Sequence, residues 1–161
     1  EKDYLVKELN LKDIIQKAVR SNAKMLISNK IKIDMKNLDQ KIFSDEKWLL
    51  FILNQIISNA VKYKKEDAQI SFEARQSTDQ ILLEIRDNGI GIAAKDLPRV
   101  TDKGYTGTTG RNYEKSTGMG LYLCKKLCDK LQLSFKIESK EEEYTIVTIG
   151  FPRSSMIFLN E

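Results

Sequence analysis

The chain has 161 residues, with 27 Lys or Arg, 23 Asp or Glu and a formal net charge of +4. This length suits one domain with a hydrophobic core. The sequence contains no histidine, which excludes histidine-based acid–base catalysis and the usual zinc sites within this chain. The sequence has no dense Lys/Arg stripe of the kind that indicates nucleic-acid binding. It also has no apolar run of about 18 residues, as a membrane span would need, and no signal peptide.

The first half of the chain alternates helical and strand patterns. Residues 1–10 are predicted to be a linker from a preceding domain, and Asn10 can cap a helix that runs to Ser28. Two short strands are predicted at 31–35 and 41–43. A long helix follows over 45–65, where an apolar face has helical spacing and Asp45 and Glu46 stand in the first turn.

The second half is predicted to contain two hairpins and one helix. QISFEARQ (69–76) and QILLEIRD (80–87) alternate around a turn, as do the strands at 133–139 and 144–152, and 120–131 is helical. Residues 154–161 form a tail, so the domain spans 11–153. We expect an α+β fold, a two-layer sandwich in which about three helices cover one face of a mostly antiparallel mixed sheet. Cys124 and Cys128, four apart, are expected to be half-buried thiols and no disulfide is predicted.

The long helix carries a polar stripe beside its apolar face. Gln55, Asn59, Lys62 and Tyr63 are spaced i, i+4, i+7 and i+8. A solvated face explains this pattern on its own. The alternative is a ligand site, since carboxamide oxygens, an ammonium group and an aromatic ring could hold a metal-bound polyphosphate and stack on a base.

The segment RDNGIGI (86–92), directly after a strand, allows three interpretations. Asn88-Gly89 is a hairpin signal, although the following residues do not alternate as a return strand. Gly89-x-Gly91-x-x-Ala94 fits the dinucleotide fingerprint, although Pro98 and a glycine run stand where its helix should follow. The third interpretation makes Asp87 an acceptor for an amine, with glycines that let a flat ligand approach the backbone.

Seven of the eight glycines lie between Gly89 and Gly120, five of them in KGYTGTTGRNYEKSTGMG (103–120). The motifs NQIISNAVKYKK, DNGIGI, this glycine-rich loop and GMGLYL, in that order, resemble the ATP-binding domain of sensor histidine kinases. The fold is shared more distantly with type II topoisomerases, Hsp90 chaperones and MutL proteins, and the resemblance covers nearly the whole chain. The stretch RVTDKGYTGTTGR further resembles short intramembrane-sensing kinases of Firmicutes that respond to cell-envelope antibiotics such as bacitracin.

The resemblance implies a role for each matching residue. Asn59 would bind Mg²⁺, Lys62 would reach the phosphates, Tyr63 would pack on adenine, and Asp87 would accept a hydrogen bond from the adenine amine. The glycine-rich loop would be a flexible lid over the triphosphate, with Lys103, Arg111 and Lys115 as candidate charges for the γ-phosphate and Arg111 preferred for its forked geometry. The remaining nucleotide-binding candidates are Gly89, Gly91, Ile92, Gly104, Tyr105, Thr117, Gly118, Gly120 and Leu121.

The resemblance also implies the reaction and its partners. Relatives that hydrolyse ATP carry a glutamate at the position of Gln55, which cannot act as a base, so direct phosphoryl transfer is favoured over hydrolysis. The acceptor would be a histidine on a separate dimerisation domain that this sequence lacks, with relay to a response regulator. The whole protein would be a membrane-anchored homodimer whose catalytic part is cytoplasmic. A serine kinase that inhibits a sigma factor is the alternative.

Overall fold

A computed structural model describes residues 4–104 and 120–153, and it confirms the α+β fold. The strands are β1 (Val6–Asn10), β2 (Lys32–Lys36), β3 (Lys41–Asp45), β4 (Gln69–Gln76), β5 (Gln80–Asp87), β6 (Ser134–Lys140) and β7 (Tyr144–Pro152). The helices are α1 (Leu11–Ser21), α2 (Ala23–Ser28), α3 (Glu46–Lys62) and α4 (Gly120–Lys130), with a 3₁₀ turn at Leu97–Arg99.

The main sheet has five strands in the order β2-β4-β5-β7-β6, and only the β2–β4 pair is parallel. The alternation in β4 and β5 sends one side chain in two to the helices, whereas the last six residues of β7 are all buried. Phe72, Leu83 and Ile149 on this inner face are fully buried with the α3 residues Leu49 and Ile57. The core therefore lies between the helices and one face of the sheet, and β5 is its central strand.

The predicted linker 1–10 contains a strand that the sequence analysis did not assign. β1 pairs antiparallel with β3 as a separate two-stranded sheet, with Val6 opposite Asp45. The Asp45 carboxylate fixes this junction, because it accepts from the backbone N–H of Leu5 at 2.7 Å and from that of Trp48 at 3.1 Å, where it caps α3. The segment VKELN has no alternating apolar pattern, so only backbone pairing marks it as a strand.

The prediction of one helix up to Ser28 was wrong at Asn22, which separates α1 from α2. The Asn22 side chain donates to the carbonyl of Ala18 at 2.8 Å and to Oδ1 of Asn54 at 2.9 Å. Because the side chain occupies a backbone acceptor of the preceding turn, it competes with the helical ladder. The Asn10 cap is confirmed, since its side chain accepts from the N–H of Asp13 at 3.2 Å.

Both cysteines are fully buried on α4, deeper than the predicted half-burial. Burial raises the pKa of the Cys124 thiol well above its usual value and that of Cys128 to about 12. Both sulfurs are therefore neutral packing groups rather than nucleophiles. Within the described residues, no helix has the length and apolar composition needed to cross a bilayer.

Candidate functional site

The polar stripe of α3 lies at the boundary between the core and the surface. Gln55, Asn59 and Lys62 are all half-buried, on the helix whose adjacent apolar face packs into the core. Neither carboxamide makes a side-chain hydrogen bond to another residue in the described ranges, and the Lys62 ammonium lies 5.4 Å from the centre of the Tyr63 ring. Half-buried amides without a side-chain partner among the described residues can bind a ligand, which favours the second interpretation of this stripe.

Asp87 is the last residue of the central strand, and its carboxyl group is half-buried. Burial raises the pKa of this group from 3.8 to about 6, against the smaller opposing effects of the Gly89 N–H and of the Arg86 charge. Oδ1 accepts from the Gly89 N–H at 2.9 Å, whereas Oδ2 has no hydrogen bond from another described residue. A half-buried carboxylate with one oxygen that no described residue bonds is suited to accept from an amine donor of a ligand.

The loop after Asp87 joins the strand to the end of α3. The Ile90 N–H donates to the Tyr63 carbonyl at 3.0 Å. A Cβ atom on Gly89 would come within 2.5 Å of the same carbonyl oxygen and 3.0 Å of Asp87 Oδ1, so only glycine fits there. Gly91 has φ +69° and abuts the carbonyl of Lys140. Two distant motifs, NAVKY and DNGIG, thus meet in one site.

Asn88 fixes the start of this loop, a role that the sequence analysis missed. Its Oδ1 accepts from the Gln69 N–H at 2.8 Å, and its Nδ2 donates to the Asp67 carbonyl at 3.0 Å. The side chain therefore ties the end of β5 to the start of β4. An asparagine directly after a strand is a signal for such side-chain-to-backbone bonds.

Two of the three earlier interpretations of RDNGIGI fail. Asn88-Gly89 is not a hairpin turn, because residues 90–93 form no strand. The dinucleotide fingerprint needs a helix and then a parallel strand, yet Gly91 leads into turns and a 3₁₀ segment, and β5 is antiparallel to both neighbours. The amine-acceptor interpretation of Asp87 is the one left.

The N-terminus of α4 lies against the polar stripe. A Cβ atom on Gly120 would approach Oε1 of Gln55 to 2.9 Å, so the carboxamide lies directly beside the first residue of this helix. Gly120 and Leu121 are both half-buried. Because the first N–H groups of an 11-residue helix are unpaired within it, this end can bind an anion such as a phosphate.

Lys103 and Gly104 are the other lid candidates that the structure describes. Lys103 and Gly104 are exposed, Gly104 has φ +76°, and no atom of the described residues lies within 4 Å of a Cβ placed on it. Lys103 makes no ion pair with an acidic residue of the described chain. The remaining candidates lie outside the described residues: Tyr105, Arg111, Lys115, Thr117 and Gly118.

The donor set can be tested for a fit to Mg²⁺. In the described ranges, no three His, Cys, Asp or Glu side chains cluster as a metal cage. Asn59 instead offers one half-buried carboxamide, one helical turn beyond the Gln55 side chain that lies beside the start of α4. A single neutral oxygen ligand fits Mg²⁺ where phosphates supply most of the charge, since this ion usually keeps waters and substrate phosphates as ligands.

The profile of the histidine kinase-, DNA gyrase B- and HSP90-like ATPases matches residues 44–155. The chain belongs to this family. Family membership implies ATP binding, and the matched range includes α3, the Asp87 loop and α4. The fold and the family predicted from the four motifs are therefore confirmed.

Two curated relatives are sensor proteins of Bacillus subtilis (strain 168). The chain is 38% identical to the sensor protein BceS over 152 residues. The aligned region covers 94% of the chain and 45% of BceS. It is 35% identical to the sensor histidine kinase YxdK over 154 residues. The aligned region covers 94% of the chain and 47% of YxdK. The chain thus spans about half the length of these relatives.

The fold is similar to that of solved kinase domains. The nucleotide-free catalytic domain of the histidine kinase ThkA matches with a TM-score of 0.78 and 18% identity, over 92% of this chain and 98% of that one. ThkA in complex with the response regulator TrrA matches with a TM-score of 0.75 and 14% identity, over 92% of this chain and 42% of that one.

Proposed function

We propose that this chain is the catalytic ATP-binding domain of a two-component sensor histidine kinase, transferring the γ-phosphoryl group of ATP to a histidine outside this sequence. The observation that carries the proposal is the junction at the Tyr63 carbonyl, which brings the α3 stripe and the Asp87 loop into one site. Two curated relatives that are sensor proteins support it.

Different residues of the site bind the base and the phosphates of the nucleotide. The free Oδ2 of Asp87 accepts from the exocyclic amine of adenine, the glycines beside it let the ring approach the backbone, and Tyr63 packs on the ring. Asn59 and Lys62 lie along α3 toward the phosphates, and the N-terminus of α4 faces their negative charge. Asn59 would hold Mg²⁺ together with the phosphates, and the ion would supply neutralisation of the charge that develops during transfer.

The transfer itself needs no base from this chain. A nitrogen of the acceptor imidazole attacks the γ-phosphorus with its lone pair, the bond from that phosphorus to the β–γ bridging oxygen breaks, and ADP leaves with that electron pair. The chain contributes positioning and charge neutralisation, which dominate phosphoryl transfer. Gln55 can orient groups at the start of α4 but cannot activate water, so ATP hydrolysis should be slow.

The whole protein would be a membrane-anchored homodimer with this domain on the cytoplasmic side, and it would pass the phosphoryl group to a response regulator. The similarity to ThkA, which has been solved in complex with a response regulator, supports that partner. The serine-kinase alternative gains no support from the two relatives described above, which are sensor proteins.

A transfer assay tests the proposal. The chain, Mg-ATP labelled at the γ-phosphate and the separately purified histidine-containing segment of the full-length kinase are incubated together. We expect acid-labile label on that segment, and little with the Asn59→Ala variant of the chain. Acid-stable label on serine, or no transfer despite nucleotide binding, would contradict the proposal.

A further inference from the structure

The β6–β7 hairpin contacts the Asp87 loop at several points. The Ile92 N–H donates to Oγ of Ser139 at 2.8 Å, and the Glu142 N–H donates to the Ile90 carbonyl at 2.6 Å. The Lys140 carbonyl abuts Gly91 from the same side. The loop that carries both glycines is thus held between α3 and the hairpin.

Ser139 is the one side chain of the hairpin that bonds this loop, among the residues that the structure describes. Its half-buried hydroxyl accepts from Ile92 and donates to the Tyr144 carbonyl at 2.7 Å, with Oγ1 of Thr145 at 3.1 Å. The hydroxyl therefore both donates and accepts a hydrogen bond, which fixes its rotamer. The hairpin is itself anchored to the end of α3, since the Lys65 ammonium donates to the Glu142 carbonyl.

The loop needs such an anchor because glycine lowers its intrinsic order. A segment with two glycines loses more conformational entropy when it is fixed than other segments do. A ligand that packs on this loop binds more tightly if the loop is already ordered in the free protein. Removing the Ser139 hydroxyl leaves the Ile92 N–H without its partner and frees the loop beyond Gly91.

We propose that Ser139 is a positioning residue for the nucleotide site, and that its hydroxyl holds the Gly91–Ile92 backbone in the conformation that receives the base. The inference rests on the proposed function, because it names the hairpin contact that orders the same site. Ser139 bonds to the backbone N–H of Ile92, so its effect on the nucleotide would pass through the loop.

The test compares Ser139→Ala with the matched control Ser134→Ala. Ser134 lies on the same strand, where its hydroxyl accepts from Nε2 of Gln80 at 3.3 Å, and it pairs with Gly150 rather than with the loop. In titration calorimetry with ADP we expect affinity to fall roughly three- to tenfold for Ser139→Ala, the factor for one lost hydrogen bond, and to stay unchanged for Ser134→Ala. Ser139→Thr keeps the hydroxyl and should restore most of the affinity.

Amide hydrogen exchange of the wild-type chain provides a second readout. We expect the Ile92 amide to be protected, and to be protected further by ADP. Rapid exchange at Ile92 in wild type would overturn the inference even if Ser139→Ala did not fold. Equal ADP affinity of Ser139→Ala and wild type would also overturn the inference. The proposed function would still stand, because the wild-type chain binds ADP in that outcome. Failure of wild type to bind ADP would overturn both.

Discussion

Asp87→Asn removes an ionisable group of the site whose pKa is raised by burial. The folded carboxyl has a pKa of about 6 against an ordinary value of 3.8, a difference of about 2.2. At about 1.36 kcal/mol per unit, this limits the cost of the buried charge at neutral pH to about 3 kcal/mol. Asparagine keeps an acceptor for the Gly89 N–H and carries no charge. Because water reaches part of the group, we expect less than this limit: the free energy of unfolding of the variant should exceed that of wild type by about 1–2 kcal/mol at pH 8.

The sign of the pH dependence follows from the raised pKa. Between about pH 4 and pH 6 the folded chain holds a proton on Asp87 that the unfolded chain has lost, so stability from this group falls as pH rises. The penalty is complete above pH 6 and absent below 3.8. The advantage of Asp87→Asn should therefore shrink to roughly half by pH 5 and vanish near pH 4.

Urea denaturation of both proteins at pH 8, 6.5 and 5 measures this difference, with Asp79→Asn at an exposed turn as the control. The same variant should lose preference for ATP over GTP in calorimetry, because asparagine can also donate. An Asp87→Asn variant no more stable than wild type at pH 8, or an advantage independent of pH, would refute the reasoning.

Two further substitutions test other parts of the site. Asn59→Ala should leave unfolding nearly unchanged while reducing the Mg²⁺ dependence of ATP-analogue binding in calorimetry; full Mg²⁺ dependence would place the metal elsewhere. Gly91→Ala should lower the free energy of unfolding by roughly 2–4 kcal/mol in urea titration and weaken ADP binding, because φ is +69° and the new Cβ would overlap the Lys140 carbonyl. Wild-type stability of that variant would contradict the close packing.

The strands with strong alternation were predictable from sequence. β4 and β5 have their predicted bounds because each buries every second side chain against the helices, and β7 also has its predicted bounds, 144–152. β1 was missed since its stability comes from pairing with β3 and from the Asp45 bond to Leu5, neither of which leaves a pattern in VKELN. The break at Asn22 depends on Asn54, 32 residues away.

The site was predictable where it depends on short motifs. Asp87, Gly89 and Gly91 stand together in the sequence, and helical spacing places Gln55 and Asn59 on one stripe. The contact between Ser139 and Ile92 was not predictable, because it joins residues 47 positions apart through the hairpin. Such contacts arise from strand order, which no local pattern encodes.

Calorimetric titration of this chain with ADP and with an unreactive ATP analogue, each with and without Mg²⁺, tests the central claim most directly. The account predicts binding that prefers adenine to guanine nucleotides and that depends on Mg²⁺ for the triphosphate. Absence of binding at millimolar nucleotide would contradict it, since the Asp87 loop would then receive no base and the α3 stripe no phosphate.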